Sequence, residues 1–216
     1  MSFVMEPTQP QTSLYPPLLK TVARARQLEV PEDRKAVLAP LIDYIQDKVD
    51  KGEVARLNFI CTHNSRRSQF SQVWAHTAAA YFGIPVQCYS GGVEVTAFNE
   101  RAVAALKRAG FRVVASDGAN PLVEVSHSEG GHQPIRAFSK LFDDPENGSG
   151  LFAAVMTCSH ADENCPFIPG AEIRIPVRYE DPKEFDGLPQ EAAKYDERSL
   201  QISSELFYVF SKIKRT

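Results

Sequence analysis

Cys61 and Arg67 stand six positions apart in the run Phe59-Ile60-Cys61-Thr62-His63-Asn64-Ser65-Arg66-Arg67-Ser68-Gln69, where an apolar stretch gives way to small, polar and basic residues. A strand that passes through such a loop into a helix turns successive backbone N–H groups inward and aims the positive end of the helix at the same point. Arg67 adds a planar fork able to hold two oxygens at once. The chemistry this favours is oxyanion binding, with Cys61 as the nucleophile beside the anion, because N–H groups and a guanidinium stabilise a thiolate over a thiol. The expected anion nest runs through Thr62, His63, Asn64, Ser65, Arg66, Arg67 and Ser68. A cysteine at a strand end is otherwise a buried, inert side chain. The Cys-x5-Arg-Ser spacing at a strand-to-helix junction raises Cys61 above that reading, although it names a chemistry better than a family.

A second group of thiols lies in Cys158-Ser159-His160-Ala161-Asp162-Glu163-Asn164-Cys165-Pro166, directly after the apolar run 151–157. Cys158 is thereby expected at a sheet carboxyl end, on the same rim as Cys61. The separation from Cys165 is too wide for a zinc knuckle, and His160 would reach a metal only through an unusual loop, so no metal site is expected. A redox pair is the stronger reading, and two unrelated thiols remain the alternative. Closing a disulfide there would force the intervening residues to buckle, since the two Cα atoms must come within roughly 7 Å. Cys88, inside the strand-like Gln87-Cys88-Tyr89-Ser90, reads as structural. His127 and His132 read as surface loop histidines.

These residues need a scaffold. Short apolar runs at 57–61, 86–90, 151–157 and 173–177 alternate with helical patterns at 68–82, 99–109 and 189–213. That alternation predicts an α/β fold with a doubly wound parallel sheet of about four strands, whose ligands bind beyond the strands' carboxyl ends. Residues 1–12 are Pro-rich and polar, with little order expected. Residues 13–28 and 31–51 carry apolar residues at helical spacing, with Leu38, Leu41, Ile42, Ile45 and Val49 on one stripe. Residues 1–54 thus read as an N-terminal helical extension and 55–216 as the catalytic domain. Within the latter, 111–142 is an inserted β-hairpin with β-prone runs near Val113, Val123 and Ile135, separated by Asp117-Gly118 and Gly130-Gly131.

With 216 residues, 43% hydrophobic and 24% charged, the chain can bury one substantial core. A net charge of −3 gives no electrostatic case for nucleic acid or an anionic membrane as partner. No apolar run reaches the roughly 18–20 residues of a membrane span, and the N-terminus lacks a basic region followed by an apolar one. Four cysteines do not make a disulfide framework in a chain this long, which fits a reducing compartment, and the expected location is cytoplasmic.

The chain resembles the low-molecular-weight protein tyrosine phosphatase superfamily and, within it, the thioredoxin-coupled arsenate reductases. The segments that carry the likeness are residues 60–69, Tyr89-Ser90-Gly91-Gly92-Val93-Glu94 with Asn99-Glu100-Arg101-Ala102, and the stretch from Thr157-Cys158 through Cys165-Pro166 to Glu180-Asp181-Pro182. The loop is common to both branches, and the Cys158/Cys165 pair belongs to the reductases. The resemblance implies that Cys61 attacks an arsenate or phosphate oxyanion, Cys158 attacks Cys61 to expel arsenite, Cys165 resolves the disulfide, and thioredoxin donates the electrons. It implies Asp181 as general acid, Asn64 as the residue propping the nest open through its own backbone, and Ser68 as a partner of the thiolate. His63 replaces the glycine usual at its position. Gln72 and Lys140 stand where some reductases of the family place carboxylates for potassium, so no bound potassium and no cofactor are expected, with a lysine ammonium supplying the charge. One alternative is a low-molecular-weight tyrosine phosphatase forming a phosphocysteine at Cys61, which the absence of an aromatic residue after Asp181-Pro182 disfavours. The other is a non-catalytic redox-sensing or anion-binding module.

Overall fold

The structure is a computed structural model that describes residues 13–129, 133–164 and 167–215. Residues 1–12, Gly130, Gly131, His132, Cys165, Pro166 and Thr216 lie outside the described residues. The chain opens with helices α1 (Pro16–Gln27) and α2 (Glu32–Asp50). Pro16 and Pro17 occupy the first turn of α1, where a missing N–H costs nothing. The stripe on α2 faces inward: Leu38, Leu41 and Ile45 are fully buried, while Ile42 lies at its edge and is only partly covered.

The run of apolar residues in β1 (Ala55–Cys61) is buried almost throughout, as a central parallel strand covered on both faces must be. It leads into α3 (Arg67–Phe82), then β2 (Val86–Gly92) and α4 (Glu100–Ala109). Asn99 caps α4 by accepting a hydrogen bond from Arg101 N at 3.0 Å, so the expected start of that helix is its cap. The insertion follows as β3 (Arg112–Ala115), β4 (Val123–Ser126) and β5 (Ile135–Ala137), an antiparallel sheet of its own in which the expected hairpin carries a third strand. The main fold resumes with β6 (Phe152–Met156), the short α5 (Ser159–Asn164), β7 (Ala171–Pro176) and the long α6 (Glu191–Ser211).

The main sheet has the order β2-β1-β6-β7, all pairs parallel. Its register sets the site. Met156 lies against Ile60, and Thr157 N donates to Ile60 O at 2.7 Å, so Cys61 and Cys158 leave the carboxyl edge side by side. Helix α3 is buried on nearly every face because it is sandwiched between the sheet and α6. There Trp74 donates its indole N–H to Ser199 at 2.9 Å and meets Phe111 edge-on at 4.8 Å. Leu18, Leu38 and Ile45 of the N-terminal helices share one apolar cluster with Phe59, Trp74 and Phe207. No helix among the described residues is long and apolar enough to cross a membrane.

Candidate active site

The loop between β1 and α3 is built from its carbonyls outward. Thr62 O accepts from the N–H groups of Val93 and Glu94, both at 2.9 Å, and His63 O from the Ser139 hydroxyl at 2.8 Å. Asn64 O accepts from the Gln69 amide at 2.9 Å and Ser65 O from Asn99 N at 3.0 Å. Across a trans peptide the next residue's N–H points opposite the carbonyl, so outward carbonyls at these four residues turn the N–H groups of residues 63–66 to the inner side. Asn64 takes the left-handed conformation (φ 46°) that makes the turn, and asparagine tolerates that region well. With the left-handed step at Asn64, position 63 needs no glycine, and the His63 side chain pairs instead with the exposed Glu94 at 3.2 Å. Gly92 is required opposite: a Cβ there would stand 2.8 Å from both Thr62 O and Asn64 N.

Cys61 Sγ lies 3.1 Å from the Ser68 hydroxyl, the partner expected of it. Asn64 differs from the expectation. Its amide donates to Ser68 Oγ at 2.9 Å and its Oδ1 accepts from Lys140 N at 3.0 Å, so it props the loop through a neighbouring side chain and the insertion instead of through its own backbone. Arg67 donates one guanidinium nitrogen to Tyr179 O at 3.0 Å and another to Asp181 at 2.7 Å. Its Nε is buried and has no hydrogen-bond partner among the described residues, which leaves a donor for an oxyanion. Asp181 also caps a 3-10 turn through Lys183 N at 3.1 Å, so the acid is fixed in place by the turn it initiates. Behind the loop, Arg66 Nε donates to the Tyr195 hydroxyl at 2.8 Å and that hydroxyl donates to Asp186 at 2.7 Å, tying α6 to the nest.

Cys158 is buried in a small apolar cluster with Cys61, Ile60, Met156 and Ala161. Its Sγ lies 3.5 Å from Thr62 Oγ1 and 3.4 Å from Ala161 N. Cys165 lies outside the described residues. Cys88 is buried in β2 and its thiol is pushed well up by burial alone, in keeping with an inert position. No group of three His, Cys, Asp or Glu side chains among the described residues is placed to hold a metal.

The insertion enters the site in a way the sequence did not disclose. Ser139, besides holding His63 O, accepts from Thr96 N at 2.9 Å and is itself held by Asn120, so the inserted sheet braces the back of the nest. Gln72 and Lys140 line one cavity of about 270 Å³ there. The Lys140 ammonium is almost fully buried, lies 4.8 Å over the Phe138 ring, and is brought down to about 8 by burial against the pull of Asp144 and Glu146. His160 is a second addition: read from sequence only as a remote metal ligand, it places Nδ1 3.2 Å from Thr62 Oγ1.

No family model matches the chain. Curated relatives do. The chain is 32% identical over 124 residues to an arsenate reductase of Staphylococcus epidermidis, spanning 57% of this chain and 76% of the relative. It is 30% identical over 124 residues to an arsenate reductase of Brevibacillus brevis, spanning 57% and 74%. A solved low-molecular-weight phosphotyrosine phosphatase of Vibrio cholerae superposes with a TM-score of 0.47 at 13% identity, covering 73% of this chain and 94% of that one. A cysteine loop with an arginine, a carboxylate on the opposite turn and a second thiol on the same sheet edge accompany this similarity, and the chain belongs to the arsenate reductase family that these curated relatives name.

Proposed function

We propose that the protein reduces arsenate to arsenite through a relay of Cys61, Cys158 and Cys165 that thioredoxin resets. The observation that carries this reading is the position of Cys158, whose Sγ lies 3.5 Å from the Thr62 hydroxyl within the nucleophile loop. The arsenate reductase names of the curated relatives support the substrate. The nest N–H groups and Arg67 hold arsenate and stabilise the charge that develops on its oxygens. Cys61 attacks arsenic, and Asp181 protonates the departing oxygen so that it leaves as water. Cys158 then attacks Cys61 Sγ. The S–As bond breaks, its electron pair stays on arsenic, and arsenite departs from a Cys61/Cys158 disulfide. Attack of Cys165 on Cys158 frees Cys61, and the dithiol of thioredoxin reduces the remaining disulfide.

A second reading is supported by the pairing of Asp181 with Arg67, since Cys61, Arg67, Asp181 and water suffice for aryl phosphate hydrolysis. One experiment separates the two. Cys158→Ser and Cys165→Ser should each abolish multiple-turnover arsenate reduction with thioredoxin, thioredoxin reductase and NADPH while sparing aryl phosphate hydrolysis. After one turnover, the Cys165→Ser protein should hold a Cys61/Cys158 disulfide and the Cys158→Ser protein none. Wild-type protein that reduces no arsenate yet hydrolyses phosphotyrosine equally well after both substitutions would establish the phosphatase instead.

A further inference from the structure

The second thiol of the relay has a problem that the first does not. Both thiols are buried in one apolar cluster, but Cys61 opens the nest and lies 3.1 Å from Ser68 Oγ, whereas Cys158 is packed beside Ile60, Met156 and Ala161. It must nevertheless lose a proton before attacking Cys61, because the thiolate is the nucleophile. The sulfur touches two polar groups, Ala161 N at 3.4 Å and Thr62 Oγ1 at 3.5 Å. The N–H can stabilise a thiolate but accepts no proton. The hydroxyl both accepts and donates, and its other neighbour is His160 Nδ1 at 3.2 Å. The imidazole is exposed, so it can exchange a proton with water.

We infer that His160 is a positioning residue for the second step: with Nδ1 unprotonated it receives the Cys158 proton through the Thr62 hydroxyl and thereby arms the thiol that expels arsenite. This rests on the reductase reading above and adds a residue to it. The balance is simple. Cys158 S–H gives its proton to Thr62 Oγ1 as the Thr62 proton passes to His160. The thiolate then forms the S–S bond with Cys61, the S–As pair goes to arsenic, and imidazolium returns its proton to water. Asp162 and Glu163 on α5 are the nearest acids on the same helix, and Arg174 and Arg178 pair with Asp162 from β7 and the segment after it. Arg178 also interacts electrostatically with Cys158, and the loop itself carries the ionisable Cys61, His63, Arg66 and Arg67. Histidine is the side chain whose charge ordinarily changes between pH 5 and 8, which gives the inference a pH signature.

The test uses the full chain in a Cys165→Ser background, so that the relay stops at the Cys61/Cys158 disulfide. Reduced protein is mixed with arsenate in a single turnover and the disulfide is followed by quenching and peptide mass mapping from pH 5 to 9. In the parent the rate should climb between pH 5 and 8. His160→Asn keeps a hydrogen-bonding group but no base, so it should slow the step about a hundredfold near pH 7, the lower end for a positioned proton acceptor, and move the climb to higher pH. A second arm needs no arsenate: Cys158 alkylation by iodoacetamide should show the same alkaline displacement in His160→Asn, and aryl phosphate hydrolysis checks that the variant is folded. Matching pH profiles in parent and His160→Asn would overturn the inference in either arm. A parent that forms no disulfide with arsenate, but shows the displacement in alkylation, overturns the reductase reading and leaves the His160 pathway standing.

Discussion

Arg67 and Asp181 are held together by a 2.7 Å ion pair, and that pair sets a competition at the mouth of the site. On the proposed function, an incoming oxyanion would take the same guanidinium and release the carboxyl for proton transfer. Asp181→Asn removes both the acid and the competitor. The first chemical step should therefore slow by about two to four orders of magnitude, the usual contribution of a positioned proton donor, while arsenate affinity is unchanged or tighter. Rapid-quench kinetics beside equilibrium binding reads both, and an unaltered first step would make Asp181 a turn residue. Lys140 offers a test of stability. Its ammonium is held down to about 8 by burial, below the ordinary 10.5, so between those values the unfolded chain binds more protons than the folded one. The buried charge costs stability at neutral pH, and that cost is relieved as pH rises from about 8 to 10.5. Lys140→Met should accordingly be more stable than wild type at pH 7 and lose the advantage by pH 10.5 in parallel urea titrations.

Helix α5 is short and directly follows Cys158, the second thiol of the proposed relay, so what holds it matters. Asp162, largely buried, accepts from Arg174 Nε and Arg178 Nε, both at 2.8 Å, and clamps the helix to β7 and the segment after it. Burial alone would raise this carboxyl, but the hydrogen bonds from Arg178 and Arg174 outweigh it and hold it below the ordinary 3.8. The stabilisation is thus present above that value and is lost as pH falls through the lower folded one. If the proposed relay closes a disulfide between Cys158 and Cys165, the helical turn that α5 makes between them would have to open. Asp162→Asn should therefore ease formation of that disulfide and make it harder for thioredoxin to reduce, which redox titration against thioredoxin measures; an unchanged equilibrium would mean the clamp survives oxidation. The existence of such elements was legible in the sequence. Strand ends at Cys61 and before Cys158, and helices on the Leu38 and Leu41 stripe, follow from local apolar spacing, which burial enforces. The bracing of the nest was not legible, because Ser139 and Lys140 reach His63 and Asn64 across 76 positions and no local pattern encodes such a bond. His160 was visible as a residue but not as a neighbour of Thr62, since that contact depends on how β1 and β6 are registered.

At the scale of the molecule, the N-terminal helices reach the site through one buried ion pair. Arg34 on α2 donates to both oxygens of Glu205 on α6, at 3.0 and 2.6 Å, and its guanidinium lies 5.1 Å over the ring of Tyr179. The carbonyl of that tyrosine accepts from Arg67. The N-terminal helices therefore support Arg67 by way of α6 and Tyr179, besides filling the shared core. Glu205 is buried, with its side chain 3% exposed, so removing Arg34 leaves its charge without a cation, with the Gln201 amide at 3.0 Å as a remaining donor. Arg34→Ala should cost about 3 kcal/mol, the lower end of the range for breaking a buried pair because the arginine is itself partly exposed. Adding Glu205→Gln should restore part of the loss, since a neutral amide needs no cation. Trp74, the only tryptophan in the chain, donates to Ser199 on α6, so its fluorescence follows the unfolding of that helix directly. A double variant no more stable than Arg34→Ala would show that packing of the arginine against Tyr179, and not the buried charge, joins the extension to the site.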